Sequence, residues 1–173
     1  NSTVFKEGLV VTANYQSGGN GQRGKIWESN ANENLLLSVV IEPKISIPEK
    51  SGISKIVALS VCDLLASLGL NSKIKWPNDI LVAKQKIAGI LIQNKLKGNS
   101  INYSVIGIGL NINQLNFAAY SPNATSLQLL LNKEFDIDEI QLQLLQFISD
   151  RIKQFRSGCS QEKEYLSSLF LKD

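Results

Sequence analysis

Histidine is absent from this 173-residue chain. Its absence removes Ser-His-Asp and Cys-His nucleophile pairs, histidine general bases and every histidine-containing metal site. Any chemistry must run on carboxylates, lysine, arginine, amides and backbone N–H groups. Methionine is absent too, and residue 1 is Asn1; the expectation is a processed or cut chain whose relatives carry further segments. Only Cys62 and Cys159 represent cysteine, and no C-x-x-C occurs, which leaves neither a zinc site nor a dithiol redox motif. Both are expected as buried or half-buried free thiols in helical stretches, in keeping with a reducing compartment. Arginine is confined to Arg23, Arg151 and Arg156, and the net charge is only +3, whereas nucleic-acid binding needs a concentrated basic face. With no run of 18 apolar residues and no signal peptide, the expected location is cytoplasmic, away from membrane.

Against these absences stand 43% hydrophobic and 19% charged residues, an ordinary globular balance. At ~100–200 residues per domain, one domain spanning 1–173 is expected. Residues 8–15 read as a first strand, and 35–41, ended by Pro43, as a buried one. Between them, residues 16–27 hold Gly18, Gly19, Gly21 and Gly24 and read as a loop. Ile53, Ile56, Val57, Val61, Leu64, Leu65 and Leu68 mark one face of an amphipathic helix, entered after Pro48 and ended by Gly69. Strands are expected over 73–76, 80–82, 87–94 and 103–111, with turns at 83–86 and 97–99. A loop at Ser121-Pro122, a short helix over 125–131 and a long one over 138–157 follow. Hairpin-linked strands with one long helix between the second and third give an α+β fold, helices packed on a mixed, largely antiparallel sheet.

Four segments carry candidate chemistry. Gly19-Asn20-Gly21-Gln22-Arg23-Gly24 has dinucleotide-loop spacing, yet a Lys-Ile-Trp stretch and a strand follow it instead of a helix. That excludes the Rossmann fingerprint, and Gly24-Lys25-Ile26 excludes the P-loop. What remains is either a flexible surface loop or a loop whose amides wrap an anion, with Arg23 and Lys25 adding charge. Lys75-Trp76-Pro77-Asn78-Asp79 gathers an aromatic face, an amide and opposite charges around a strand break; a plain Asx turn is the alternative. Lys86 opens an otherwise apolar strand with Gly89 three residues on, placing either a solvated lysine or one that holds a carboxylate and a phosphate. Gly107-Ile108-Gly109-Leu110-Asn111-Ile112-Asn113 puts two glycines inside a strand, which marks a close approach by backbone or ligand.

Taken in order, Gln16 and the G-x-G-x-x-G-x-x-W loop, then K-W-P-N-D, K-x-x-G-I-L and G-x-G-x-N-x-N, from about Gly8 to Asn113, closely resemble the catalytic domain of biotin–protein ligase (biotin–acetyl-CoA-carboxylase ligase). The resemblance implies a class II synthetase-like α+β fold. It implies an enzyme that joins biotin to ATP with Mg²⁺, giving biotinyl-5′-AMP and pyrophosphate. The biotinyl group then passes to a lysine of a biotin carboxyl carrier domain. Such chemistry needs no histidine, because positioning and charge neutralisation carry it. The implied roles are residue-specific. Gly19 to Gly24, with Asn20, Gly21 and Gln22, would fold over biotin and the adenylate, and Gln16 would bond biotin's polar ring. Lys86 would bind the biotin carboxylate and α-phosphate, with Arg23 adding charge, and Asp79 would sit near the acceptor amine or metal. Trp27 and Asn111 would line the adenine pocket, Gly89 would leave space beside biotin, and Lys75 and Asn78 would complete the binding set. No protein-held metal site is expected.

Departures from the family pattern carry their own expectations. The family loop usually reads Gly-Arg-Gly-Arg/Gln-x-Gly; Asn20 takes the first arginine position and Gln22 the second, leaving Arg23 as the loop's only arginine, and an amide cannot make a guanidinium's fork contact with phosphate, so a looser hold on the adenylate is expected. The family's upstream Ser-Thr-Asn segment, its C-terminal β-barrel and its DNA-binding helix-turn-helix are expected to lie outside these 173 residues, and no DNA partner is expected for them. Pairing through the sheet edge, as family members do, would give a homodimer. A lipoate–protein ligase and a catalytically silent biotin- or adenylate-binding module remain the alternative readings.

Overall fold

The computed structural model describes residues 6–24, 26–43, 51–118 and 123–170, apart from the side chains of Arg23 and Ser51. Lys25, Pro48 and Ser121-Pro122, for which the sequence carries expectations, lie outside the described residues. In chain order the elements are β1 (Val10–Ala13), β2 (Gly19–Asn20), β3 (Ile26–Trp27), β4 (Asn34–Ile41), α1 (Ser51–Ser67), β5 (Ser72–Lys75) and β6 (Asp79–Val82). They continue with β7 (Gln85–Lys97), β8 (Ser100–Asn111), α2 (Leu127–Leu131), α3 (Ile137–Arg156) and α4 (Glu162–Ser167). Six strands form an antiparallel sheet in the order β1-β4-β8-β7-β6-β5, and β2 and β3 form a separate small hairpin. The architecture is the expected α+β one.

Side-chain alternation divides the sheet. On β4, Leu35, Leu37, Val39 and Ile41 join the core, and so do Ile106, Ile108 and Leu110 on β8. α1 and α3 pack together over that side, α1 against β5, β6 and β7 and α3 against β4. The face read for α1 is buried as expected apart from the half-buried Leu68, and Ala58, Leu59 and Ser60 are buried as well. A helix apolar around most of its girth belongs between two layers, which is where α1 lies. Ser60 tolerates this burial by donating to Ile56 O at 2.9 Å.

Several boundaries differ from the sequence reading. The first strand is half as long, because Gly8 takes a positive φ of 82° and donates to Val40 O before the ladder begins. Residues 16–27 are not all loop: they contain the β2–β3 hairpin and a 3₁₀ turn over Gln22–Gly24. The turn after β6 needs only Ala83 and Lys84, both at positive φ (49° and 66°) as a two-residue hairpin turn requires. Gln85 and Lys86 therefore belong to β7. The β7–β8 ladder runs on to Lys97 opposite Ser100. α2 starts at Leu127 because Ser126 caps it, its hydroxyl accepting from Leu129 N at 3.2 Å. Asp136 likewise starts α3, accepting from Asp138 N and Glu139 N. α4, with Tyr165 as its one buried residue, is too short to announce itself by periodicity. Cys159 is exposed in the turn beyond α3, not half-buried in a helix; Cys62 is half-buried on α1, where burial pushes its thiol pKa up.

Arg151 ties the helical layer together. It is 8% exposed and extends the buried row of Ile140, Leu144 and Ile148 on α3. Its guanidinium makes paired bonds to Asp63 on α1, both 2.7 Å, and to Glu164 on α4. Beyond α4, Ser168 O accepts from Ile74 N at 2.8 Å and Phe170 N donates to Ile74 O, so residues 168–170 cover the outer edge of β5.

Candidate active site

The sheet face opposite the helices carries the candidate site. Gly89 on β7 lies directly opposite Gly109 on β8, with Asp79 of β6 on one flank and Leu36 of β4 on the other. Two facing glycines leave a saddle where neighbouring rows have side chains. The Trp27 indole fills it. A Cβ on Gly109 would stand 2.3 Å from Trp27 Cε2, and one on Gly89 would stand 2.9 Å from Trp27 Cζ3. β3 is held there by its pairing with β2, where Gly19 faces Trp27. Gly19 is constrained in turn, since a Cβ would lie 2.4 Å from the Trp27 carbonyl oxygen and 2.8 Å from Gln16 Oε1. The Trp27 indole N–H is buried without a hydrogen-bond partner, an uncommon condition for a buried donor.

Lys86 stands beside the saddle. Its Nζ lies 2.7 Å from Asp79 Oδ1 and 5.3 Å from the centre of the Trp27 ring. Both members of the ion pair keep access to solvent and line the cavity. The Lys86 main chain is fixed as well: its N–H donates to Asn123 O at 2.6 Å, and Thr125 N donates to its carbonyl at 2.9 Å. Asn111 completes that clamp, donating from Nδ2 to Thr125 O at 2.9 Å. Asn111 is therefore a brace for residues 123–125 as well as a cavity residue.

A cavity of about 920 Å³ opens over this face, ample for a drug-sized ligand or larger. Among the residues picked from sequence, Gln16, Asn20, Gly21, Gln22, Gly24, Trp27, Lys75, Asn78, Asp79, Lys86, Gly89 and Asn111 all line it. Segments up to 95 positions apart in the chain thus meet in one place. Gly19 backs the cavity through its strand pairing, and the Arg23 side chain lies outside the description. The sequence grouping of Lys75 with Asp79 is redrawn: the two are opposite in the β5–β6 ladder, but the Asp79 carboxylate pairs with Lys86.

Sequence reasoning missed Ile26, Trp76, Leu36, Ser38 and Phe117, which also line the cavity. Ser38 had a signal, a lone hydroxyl interrupting an apolar run. Trp76 sat inside a recognised motif; its peptide bond to Pro77 is cis. Asn113, by contrast, is structural: its side chain donates to Phe135 O at 2.8 Å and accepts from Phe135 N at 3.0 Å. Asn34 does similar work at the start of β4, bonding Ser29, Gln114 and Ile112 N. Lys86 and Asp79 thus provide a cation with a carboxylate holding it, beside a floor made by the Trp27 indole laid on the two glycines. That arrangement can bind an anionic carboxylate or phosphate and offset charge as two such groups approach.

The model of the biotin/lipoate A/B protein ligase family matches residues 1–111. The bifunctional ligase/repressor BirA of Bacillus subtilis is 31% identical over 109 residues, 62% of this chain and 34% of that protein. The biotin–[acetyl-CoA-carboxylase] ligase of Mycobacterium tuberculosis is 32% identical over 158 residues, 88% of this chain and 57% of that protein. The chain spans about a third of the length of the first curated relatives it matches. Among solved structures, the biotin protein ligase of Aquifex aeolicus in complex with biotin and ATP superposes with a TM-score of 0.83 at 25% identity, covering 98% of this chain and 72% of that one.

Proposed function

Since the chain belongs to the biotin/lipoate A/B protein ligase family, we propose that it activates biotin with ATP and transfers the biotinyl group to a lysine of a biotin carboxyl carrier domain. The observation that carries this reading is the Lys86–Asp79 pair, 2.7 Å apart at the edge of the Gly89–Gly109 saddle. Two anions must meet in the first step. A biotin carboxylate oxygen attacks the α-phosphorus, and the bond to pyrophosphate breaks. An ammonium held between them lowers that repulsion, and Asp79 keeps it in place. In the second step the acceptor amine attacks the acyl carbon, and the bond to AMP breaks. Asp79 is the candidate to take the amine's proton.

The remaining roles follow the cavity. Gln16 and the residues 19–24 fold over the ligand, with Arg23 adding charge. Trp27, Lys75, Asn78, Gly89 and Asn111 shape the pocket. Mg²⁺ fits this donor set as an ion that arrives with the nucleotide. The described residues hold no group of three carboxylate, cysteine or histidine side chains for a resident metal, while Glu28 and Asp79 line the cavity. One or two carboxylates plus substrate phosphates is the usual arrangement for Mg²⁺, and the ion would neutralise phosphate charge. No helix among the described residues is long and apolar enough to cross a membrane, which suits the cytoplasmic setting proposed for the enzyme.

The test is biotin-dependent ATP–pyrophosphate exchange on the protein and on Lys86→Ala. Exchange in the parent and a loss of ~10²-fold or more in the variant are expected, as for removal of a group that stabilises developing charge. Normal exchange in Lys86→Ala would remove Lys86 from the mechanism. Exchange with lipoate in place of biotin would redirect the substrate to the other branch of the family.

A further inference from the structure

Two large apolar side chains stand at the mouth of the cavity and belong to no part of the scheme above. Ile26 is 74% exposed and Trp76 is 69% exposed, yet both line the cavity. Both therefore border the cavity where it is open to water. Ile26 gets there by strand alternation: its neighbour Trp27 turns inward onto the glycine saddle, so Ile26 turns out. Trp76 projects from the break between β5 and β6, next to the exposed Lys75. Small ligands are usually 70–90% buried by their sites. Leu36 is 4% exposed and Trp27 is half-buried, whereas Ile26 and Trp76 keep most of their surface open for a larger contact. Exposed apolar side chains beside a functional cleft mark contact with another macromolecule, and tryptophan is among the residues that dominate such contacts.

We propose that Ile26 and Trp76 form a docking rim for the protein acceptor, used in the transfer step and not in adenylation. The inference rests on the function proposed above, in which a lysine carried on a folded domain must reach the Lys86–Asp79 pair through this mouth. The partner is then a domain that presents an apolar surface beside its acceptor lysine. Contact with the rim holds that lysine over the acyl-adenylate, so the rim contributes to recognition and positioning and takes no part in bond making.

Three readouts on Ile26→Ser, Trp76→Ala and the double variant separate the steps: biotin-dependent ATP–pyrophosphate exchange, transfer to a biotin carboxyl carrier domain, and transfer to hydroxylamine, a small acceptor that cannot touch the rim. Any fall in exchange and in hydroxylamine transfer should be at least about fivefold smaller than the fall in transfer to the carrier domain. kcat/KM for the carrier domain should fall about tenfold or more in Trp76→Ala, the size of a strong interface residue, and further in the double variant. Trp76→Phe, which keeps an aromatic face, should recover part of the loss. Unchanged transfer to the carrier domain would overturn the proposal. So would a raised KM for ATP or a parallel loss in exchange, which would make Trp76 a nucleotide platform. Absence of exchange in the parent itself would instead overturn the function on which the proposal rests.

Discussion

Asn20 and Gln22 show how residue type sets what a glycine-rich loop can hold. Both line the cavity and both are neutral amides, and Asn20 stands where the resemblance leads one to expect an arginine. An amide offers one weaker donor pair, with neither the charge nor the fork that matches a phosphate. Asn20→Arg is therefore expected to slow the release of biotinyl-AMP by roughly tenfold, the scale of one charge-assisted hydrogen bond. Trapping of released adenylate after a single turnover measures it, and release no faster in the parent than in the variant would dismiss the looser hold. Lys86 is the opposite case. The sequence left it open between a solvated lysine and an anion holder. Its placement was decided by the two-residue turn at Ala83-Lys84, which puts Lys86 inside β7 and within reach of Asp79.

At the level of elements, the decisive unit is the pair of strands β7 and β8. Their register sets Gly89 against Gly109, and the β2–β3 hairpin lays Trp27 across both. The sequence marked each glycine as a place of close approach, but named no partner, because strand register is not written in either strand alone. The tryptophan was legible as a site residue; that it rests on two glycines from other strands was not. Gly109→Ala should displace Trp27, since a methyl 2.3 Å from Cε2 cannot coexist with the ring where it stands. Loss of biotin-dependent exchange by at least tenfold is expected, with a stability cost of ~1–3 kcal/mol typical of overpacking. Exchange kinetics and urea unfolding check the two parts. Preserved exchange would mean the indole can move aside without consequence.

Across the whole molecule, the apolar core fixes the helical layer to the sheet, and one buried cation ties the helices to one another. Arg151 on α3 gathers Asp63 from α1 and Glu164 from α4, and α4 leads into the segment that covers the edge of β5. The Arg151 hydrogen bonds hold the Glu164 carboxyl below its ordinary value. A carboxylate with a depressed native pKa adds stability above its unfolded pKa, and that stability is lost as pH falls through the native value. Glu164→Gln should thus be less stable than the parent at pH 7, by about 1 kcal/mol after allowing for the half-exposed carboxylate. The difference should shrink on acidification below about pH 4.5, the ordinary glutamate value. Urea midpoints measured from pH 7 to pH 3 test this; a difference independent of pH would remove the ion pair as its cause.

The sequence by itself determined the α+β class, the apolar face of α1 and a set of candidate residues, twelve of which line the cavity. Those are local properties, carried by periodicity, by turn residues and by which side chains can bear charge without histidine. The tertiary structure alone decided that Asp79 pairs with Lys86 rather than with its motif neighbour Lys75, and that Arg151 joins three helices. It also decided that Trp76 and Ile26 border the cavity while staying largely exposed. The Asp79–Lys86 pair turns on the length of one hairpin turn and the register shift beside it; the other two depend on packing between segments far apart in the chain, which no short stretch of sequence contains.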